Sequence, residues 1–148
     1  MDIKEKLTEA MRQAMRANDD VARRTTRMVL AAIKLVEVEK QASLDDATVM
    51  GLLQKEIKNR REAIEEARKA NRDDLIGENE AEIKVLEGFL PKAMSPEELR
   101  SLVQAAIAET GAAAPADMGK VMKALMPKVA GRAAGDQVSS MVKELLGK

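Results

Sequence analysis

Leu90-Pro91-Lys92-Ala93-Met94-Ser95-Pro96-Glu97-Glu98-Leu99 ends one helix and starts another. Pro91 cannot continue a helical ladder. Ser95 is an N-cap residue, Pro96 suits the first helical position, and Glu98 stands where it can close a capping box. The Pro91–Ser95 stretch therefore reads as a joint between two units, residues 1–91 and 95–148.

Upstream of the joint, apolar residues recur at helical spacing. Ile3, Leu7, Ala10, Met11, Ala14 and Met15 make one stripe. Asn18-Asp19-Asp20 interrupts it, and Asp19 or Asp20 can cap a second helix running to about Lys40. Val21, Met28, Val29, Ala32, Ile33 and Val36 form its expected inner face. Ser43-Leu44-Asp45-Asp46 is a turn and cap. A long third helix then carries Val49, Leu52, Leu53, Ile57, Ile64 and Ala67. Its pairs Glu56–Arg60 and Glu65–Lys69 read as exposed i,i+4 supports, each contributing a few tenths of a kcal/mol. A fourth helix, from about Asp74, brings in Ile83, Leu86, Phe89 and Leu90.

Downstream, Leu99, Leu102, Val103, Ala106 and Ile107 make a fifth helix that stops at Gly111. A sixth is expected to be capped by Asp117, with Met118, Val121, Met122, Leu125 and Met126 inward. Pro127 and Gly131 bring it to its end. A seventh, capped by Asp136, holds Val138, Met141, Val142, Leu145 and Leu146. No strand pattern appears. The expected fold is all-α: an N-terminal helical unit with a long helix, and a C-terminal three-helix bundle.

Composition agrees. Of 148 residues, 45% are hydrophobic and 34% charged, which suits a folded chain. Phe89 is the only aromatic residue, so the core must be aliphatic and methionine-rich. Acids and bases number 25 each, so no global field draws the chain to nucleic acid or membrane. No apolar run is long enough to span a bilayer. The first residues read as a helix start, not a signal peptide. With no cysteine, packing alone holds the fold, which suits a reducing compartment, and a cytoplasmic location is the expectation.

The absent residue types exclude much chemistry. Without His or Cys there is no imidazole catalysis, no thiolate nucleophile and almost no zinc site, so neither a metal nor a cofactor is expected. No phosphate-cradling glycine loop of the usual kinds is present. Ser139-Ser140 lies mid-helix without a base and reads as helix surface. The carboxylates follow helical charge pairing. No catalytic residue is assigned.

Three features can carry binding. Met118–Gly135 holds Lys120, Lys123, Lys128 and Arg132 and no acid, and the three lysines fall within an arc of about 140°. Gly119 and Gly131 flank that helix and permit close backbone approach, while a helix N-terminus offers N–H donors to phosphate. These six residues are the candidate nucleic-acid site; the competing reading is a solvated helix face. Val21–Val36 is also acid-free, with Arg23, Arg24, Arg27 and Lys34, which can instead pair with acids on a neighbouring helix. Met118, Met122 and Met126 form a stripe that suits core packing, with a partner surface as the alternative. Scarce aromatics argue against base stacking, so RNA recognition would rest on shape and phosphate.

Three ordered runs resemble the YqeY family, also called GatB/YqeY domain proteins. They are Leu52-Leu53-Gln54-Lys55-Glu56-Ile57-Lys58-Asn59-Arg60-Arg61-Glu62-Ala63-Ile64; Glu80-Ala81-Glu82-Ile83-Lys84-Val85-Leu86-Glu87-Gly88-Phe89-Leu90-Pro91; and Asp117-Met118-Gly119-Lys120-Val121-Met122-Lys123-Ala124-Leu125-Met126-Pro127-Lys128-Val129 with Gly131-Arg132-Ala133. The resemblance implies that residues 95–148 are similar to the tail domain of the GatB subunit of tRNA-dependent amidotransferase, which helps hold tRNA. It also implies an inherited label, carbon–nitrogen ligase with glutamine as amido donor. The chain lacks that enzyme's serine–serine–lysine loop and nucleotide-binding body. One departure stands out: where the family turn continues Asp-Gly, this chain has Ala134-Gly135, with Asp136 later. The expectation is a tRNA-binding or tRNA-linked accessory protein without catalysis of its own. A helical protein–protein adaptor with a partner in translation is the alternative, and an enzyme subunit active only in a complex is the third reading.

Overall fold

The computed structural model describes residues 1–147, and among them it contains seven α-helices and no strand. The helices are α1 (Ile3–Ala17), α2 (Asp20–Lys40), α3 (Asp46–Lys69), α4 (Asp73–Glu87), α5 (Pro96–Thr110), α6 (Met118–Val129) and α7 (Gly135–Leu146). A single 3₁₀ turn, Pro115–Asp117, precedes α6. The chain divides into two compact units, Met1–Pro91 and a second beginning at Lys92.

In the first unit, Ile3 and Leu7 of α1, Val29 and Ile33 of α2, Val49, Leu53 and Ile57 of α3, and Leu86 of α4 form one buried cluster. Aspartates fix three helix starts. Asp2 accepts from the Glu5 amide while Glu5 accepts from the Asp2 amide, a complete capping box. Asp19 and Asp45 accept from the amides of Ala22 and Thr48. The left-handed residues Asn18 and Gln41 end α1 and α2.

In the second unit, Val121, Leu125 and Val129 of α6 and Val138, Val142 and Leu146 of α7 repeat at every fourth residue. They meet Leu99, Val103 and Ala106 of α5 in an apolar core. Met118 and Met122 pack at its edge, whereas Met126 is exposed. The methionine stripe is thus the margin of the core, one residue round from the valine–leucine seam.

Several local expectations change. Met15 and Met28 are about half exposed rather than inward. Ser95 caps α5 through the Glu98 amide at 3.1 Å. The Glu98 carboxylate does not return the bond, because it accepts from Arg132 at 2.9 Å instead. Asp117 does not cap α6: its carboxylate accepts from the amides of Ala113 and Ala114, at 3.1 and 3.3 Å. Asp136 lies inside the first turn of α7, so Ala134, which has no side-chain acceptor, holds the N-cap position. No described helix is long and apolar enough to cross a membrane.

Candidate nucleic-acid interface

Helix α6 presents the candidate cations, and the structure treats them unequally. Lys120 and Lys123 are exposed and have no ion-pair partner among the described residues. They stand about 60° apart round the helix, on its solvent side. Lys128 instead reaches Glu109 of α5 at 2.7 Å. That ammonium, by hydrogen bond and then by charge, holds the Glu109 carboxyl below its ordinary range.

Arg132 is the most heavily engaged. Its guanidinium donates to the Lys92 carbonyl at 3.0 Å and to Glu98 at 2.9 Å. Its own carbonyl accepts from the Met94 amide at 2.8 Å. Three bonds from one residue thus tie the segment before α5, and the first turn of α5 itself, to the turn between α6 and α7. This is a bracing geometry, and an RNA phosphate would have to compete with Glu98 for the guanidinium.

The two glycines also differ. Gly119 is helical, and a Cβ there would meet open space, so nothing in the fold requires glycine. Gly131 follows Ala130, and both adopt positive φ, 79° and 49°. The left-handed pair turns the chain out of α6, which explains Gly131 by backbone conformation. Pro127, within α6, has no amide to offer the Lys123 carbonyl. The 3₁₀ turn leads into the N-terminus of α6, where the Met118 amide donates to the Pro115 carbonyl and no side chain caps the helix. Hydrogen bonds from the Ala113 and Ala114 amides, outweighing partial desolvation, lower the Asp117 carboxyl from its ordinary value, and Lys120 adds a smaller pull.

The basic run of α2 is largely accounted for within the first unit. Arg23 pairs with Asp20 at 2.9 Å. Arg24 donates to Glu78 and Glu82 of α4, each at 3.1 Å. Glu82 also accepts from Arg60 of α3 at 2.8 Å, and Arg60 donates to Glu56 at 2.7 Å. Arg60 and Glu82 are only 5% and 9% exposed. Glu56–Arg60 is therefore not the exposed surface pair that its spacing suggests. Burial pulls the guanidinium pKa down, but the hydrogen bonds and charges of Glu56 and Glu82 outweigh it and leave Arg60 raised. The alternation Glu78–Arg24–Glu82–Arg60–Glu56 joins α2, α3 and α4. Sequence reading missed it, and the one available signal was an arginine in line with the buried stripe Leu53, Ile57, Ile64. Among the described residues, no group of three or more acids could hold a metal ion.

Known proteins are similar in sequence to this chain. The family model described as "Yqey-like protein" matches residues 4–146. The chain is 35% identical over 101 residues to the mitochondrial protein named Altered inheritance of mitochondria protein 41 from Vanderwaltozyma polyspora; the match covers 66% of this chain and 55% of that protein. The protein of the same name from Pyrenophora tritici-repentis is 30% identical over 145 residues, covering 96% of this chain and 80% of its own length. The chain thus spans about half of the first relative. These names overturn the expectation of a cytoplasmic location, since they are those of mitochondrial proteins. The lack of cysteine reports tolerance of reducing conditions and carries no address. The ordered motifs, the all-helical fold and the matched residues agree: the chain belongs to the YqeY-like family.

Proposed function

We propose that this chain is a tRNA-linked accessory protein that touches RNA backbone through α6 and performs no chemistry alone. The observation that carries the reading is the pair Lys120 and Lys123, exposed, close together and without an ion pair among the described residues, on a helix that has no acid. The resemblance of residues 95–148 to the amidotransferase tail domain supplies the tRNA part. The relatives' names mention inheritance of mitochondria and neither tRNA nor amidation. Lys128 and Arg132 play a smaller direct part, because each would exchange a carboxylate for phosphate. A protein–protein adaptor without nucleic-acid binding is the second reading, favoured by that same engagement of Lys128 and Arg132.

Binding of labelled bulk tRNA at low and moderate salt tests this directly. Each phosphate contact contributes a slope of about 0.9 in log affinity against log salt. Lys120→Gln with Lys123→Gln should weaken binding several-fold and reduce the slope by nearly two, with the helical circular dichroism unchanged. Absence of binding by the native chain at low salt would sink the tRNA reading and leave the adaptor.

A further inference from the structure

Helix α2 has two apolar faces, and the first unit buries only one. Val29 and Ile33, with Thr25 and Thr26, point inward. Roughly 155° away round the helix lie Met28, Ala31, Leu35 and Val38. All four are exposed, Leu35 at 70% and Val38 at 62%. Their spacing of three, four and three residues is that of the a and d positions of a coiled coil, with Met28 and Leu35 at a and Ala31 and Val38 at d.

The charges beside this stripe favour one occupant. Arg27 and Lys34 lie along one margin, at g, and Glu39 along the other, at e. Lys34 and Glu39 are exposed, and neither has an ion-pair partner among the described residues. Five residues apart, they sit on opposite flanks of the stripe and cannot meet across it. In a parallel two-stranded pairing, a g residue faces the e residue five positions later on the other helix. Lys34 of one copy then meets Glu39 of a second, twice over by symmetry. Glu37, the remaining acid nearby, is turned toward α1, where it accepts from Lys4 at 2.6 Å.

We infer that the Met28–Ala31–Leu35–Val38 face of α2 docks on the same face of a second copy of this chain, in parallel, with Lys34 and Glu39 paired between copies. The two-fold arrangement is self-complementary, as closed homodimers require. Four side chains per copy make a short seam, below the roughly 1,200 Å² of a standard interface, so association is weak and concentration-dependent. The inference is independent of RNA binding, because it uses no residue of α6.

Sedimentation equilibrium of the full chain, taken up to about 1 mM, reads the outcome. The native chain should pass from one-copy to two-copy mass as concentration rises. Leu35→Glu should stay at one-copy mass with unchanged circular dichroism, since the residue lies outside the core. Lys34→Glu should weaken pairing at least several-fold, and Lys34→Glu combined with Glu39→Lys should restore it. A native chain of one-copy mass throughout overturns the inference. So does a dimer indifferent to Leu35→Glu, and so does a charge swap that fails to restore pairing.

Discussion

The two units handle polar groups in opposite ways. The first caps three of its four helices with aspartate side chains, then places charge inside: Arg60 and Glu82 are buried, and the Thr25 hydroxyl is buried with no hydrogen-bond partner in the structure. The second has no buried polar residue among those described, yet two of its three helices begin without a side-chain cap. One unit carries its polar cost in the interior and the other at its helix starts. The difference teaches where each is vulnerable. In the first, a single substitution can strand a charge. In the second, the weak points are local, and a single substitution can improve them.

The largest expected effect comes from breaking the interior network. Arg60→Ala leaves Glu82 and Glu56 without their shared guanidinium, and removal of one partner from a buried pair costs about 3–5 kcal/mol. Denaturant unfolding should show that loss. Replacing both Arg60 and Glu82 by leucine should recover much of it, since apolar packing often does as well as a buried pair. If Arg60→Ala costs under about 1 kcal/mol, the pair behaves as an exposed one and the contrast between the units fails.

Sequence patterns revealed the helices and hid this network for a definite reason. Caps and turns are local, so Ser95 and Pro96 are readable where they stand, and the caps Asp19 and Asp45 are readable to within the pairs Asp19-Asp20 and Asp45-Asp46. Val121 and Val138 followed from periodicity. Burial of a charge is not local: Arg60 meets Glu82 from 22 residues away, and Arg24 meets it from 58. On α3 the one local sign is that Arg60, unlike the exposed Arg61, falls in line with Leu53, Ile57 and Ile64, and that position names no partner for it. On α2 the difficulty is different. Apolar residues lie on two opposite sides, so periodicity names no single inner face and does not show that Met28, Leu35 and Val38 are exposed. At the candidate site, the basic run on α6 was readable, but the acids that claim Lys128 and Arg132 belong to α5.

A smaller effect sharpens the comparison from the other side. Ala134 occupies the N-cap of α7 with β-region angles, and Gln137 already accepts from the Ala134 amide at 3.4 Å. Half of a reciprocal box is thus in place, without a side-chain oxygen to complete it. Asp136 has not taken over, since it lies in the first turn, where its carboxylate accepts from the Gln137 amide. Ala134→Asp supplies the missing acceptor and a charge that favours the positive end of the helix. It should stabilise the second unit by about 1 kcal/mol, read as a raised denaturant midpoint with unchanged slope.

The smallest effect concerns acid. In the second unit, Asp117 holds the loop before α6 by accepting from the Ala113 and Ala114 amides, and those bonds lower its carboxyl from the ordinary value. A lowered folded-state pKa means that the unfolded chain takes up the proton first as pH falls. The contribution to stability is therefore whole at neutral pH, declines below about pH 4 and is gone once pH has fallen through the folded value. Asp117 is readily reached by solvent, so the change in unfolding midpoint should be slight, and a local probe is the sharper one. The amide proton shifts of Ala113 and Ala114 should move together in a single titration, centred below the ordinary aspartate range. Asp117→Asn should abolish that titration while Glu109 still responds through Lys128. If the two amides instead titrate at the ordinary value, the carboxylate does not hold the loop in solution.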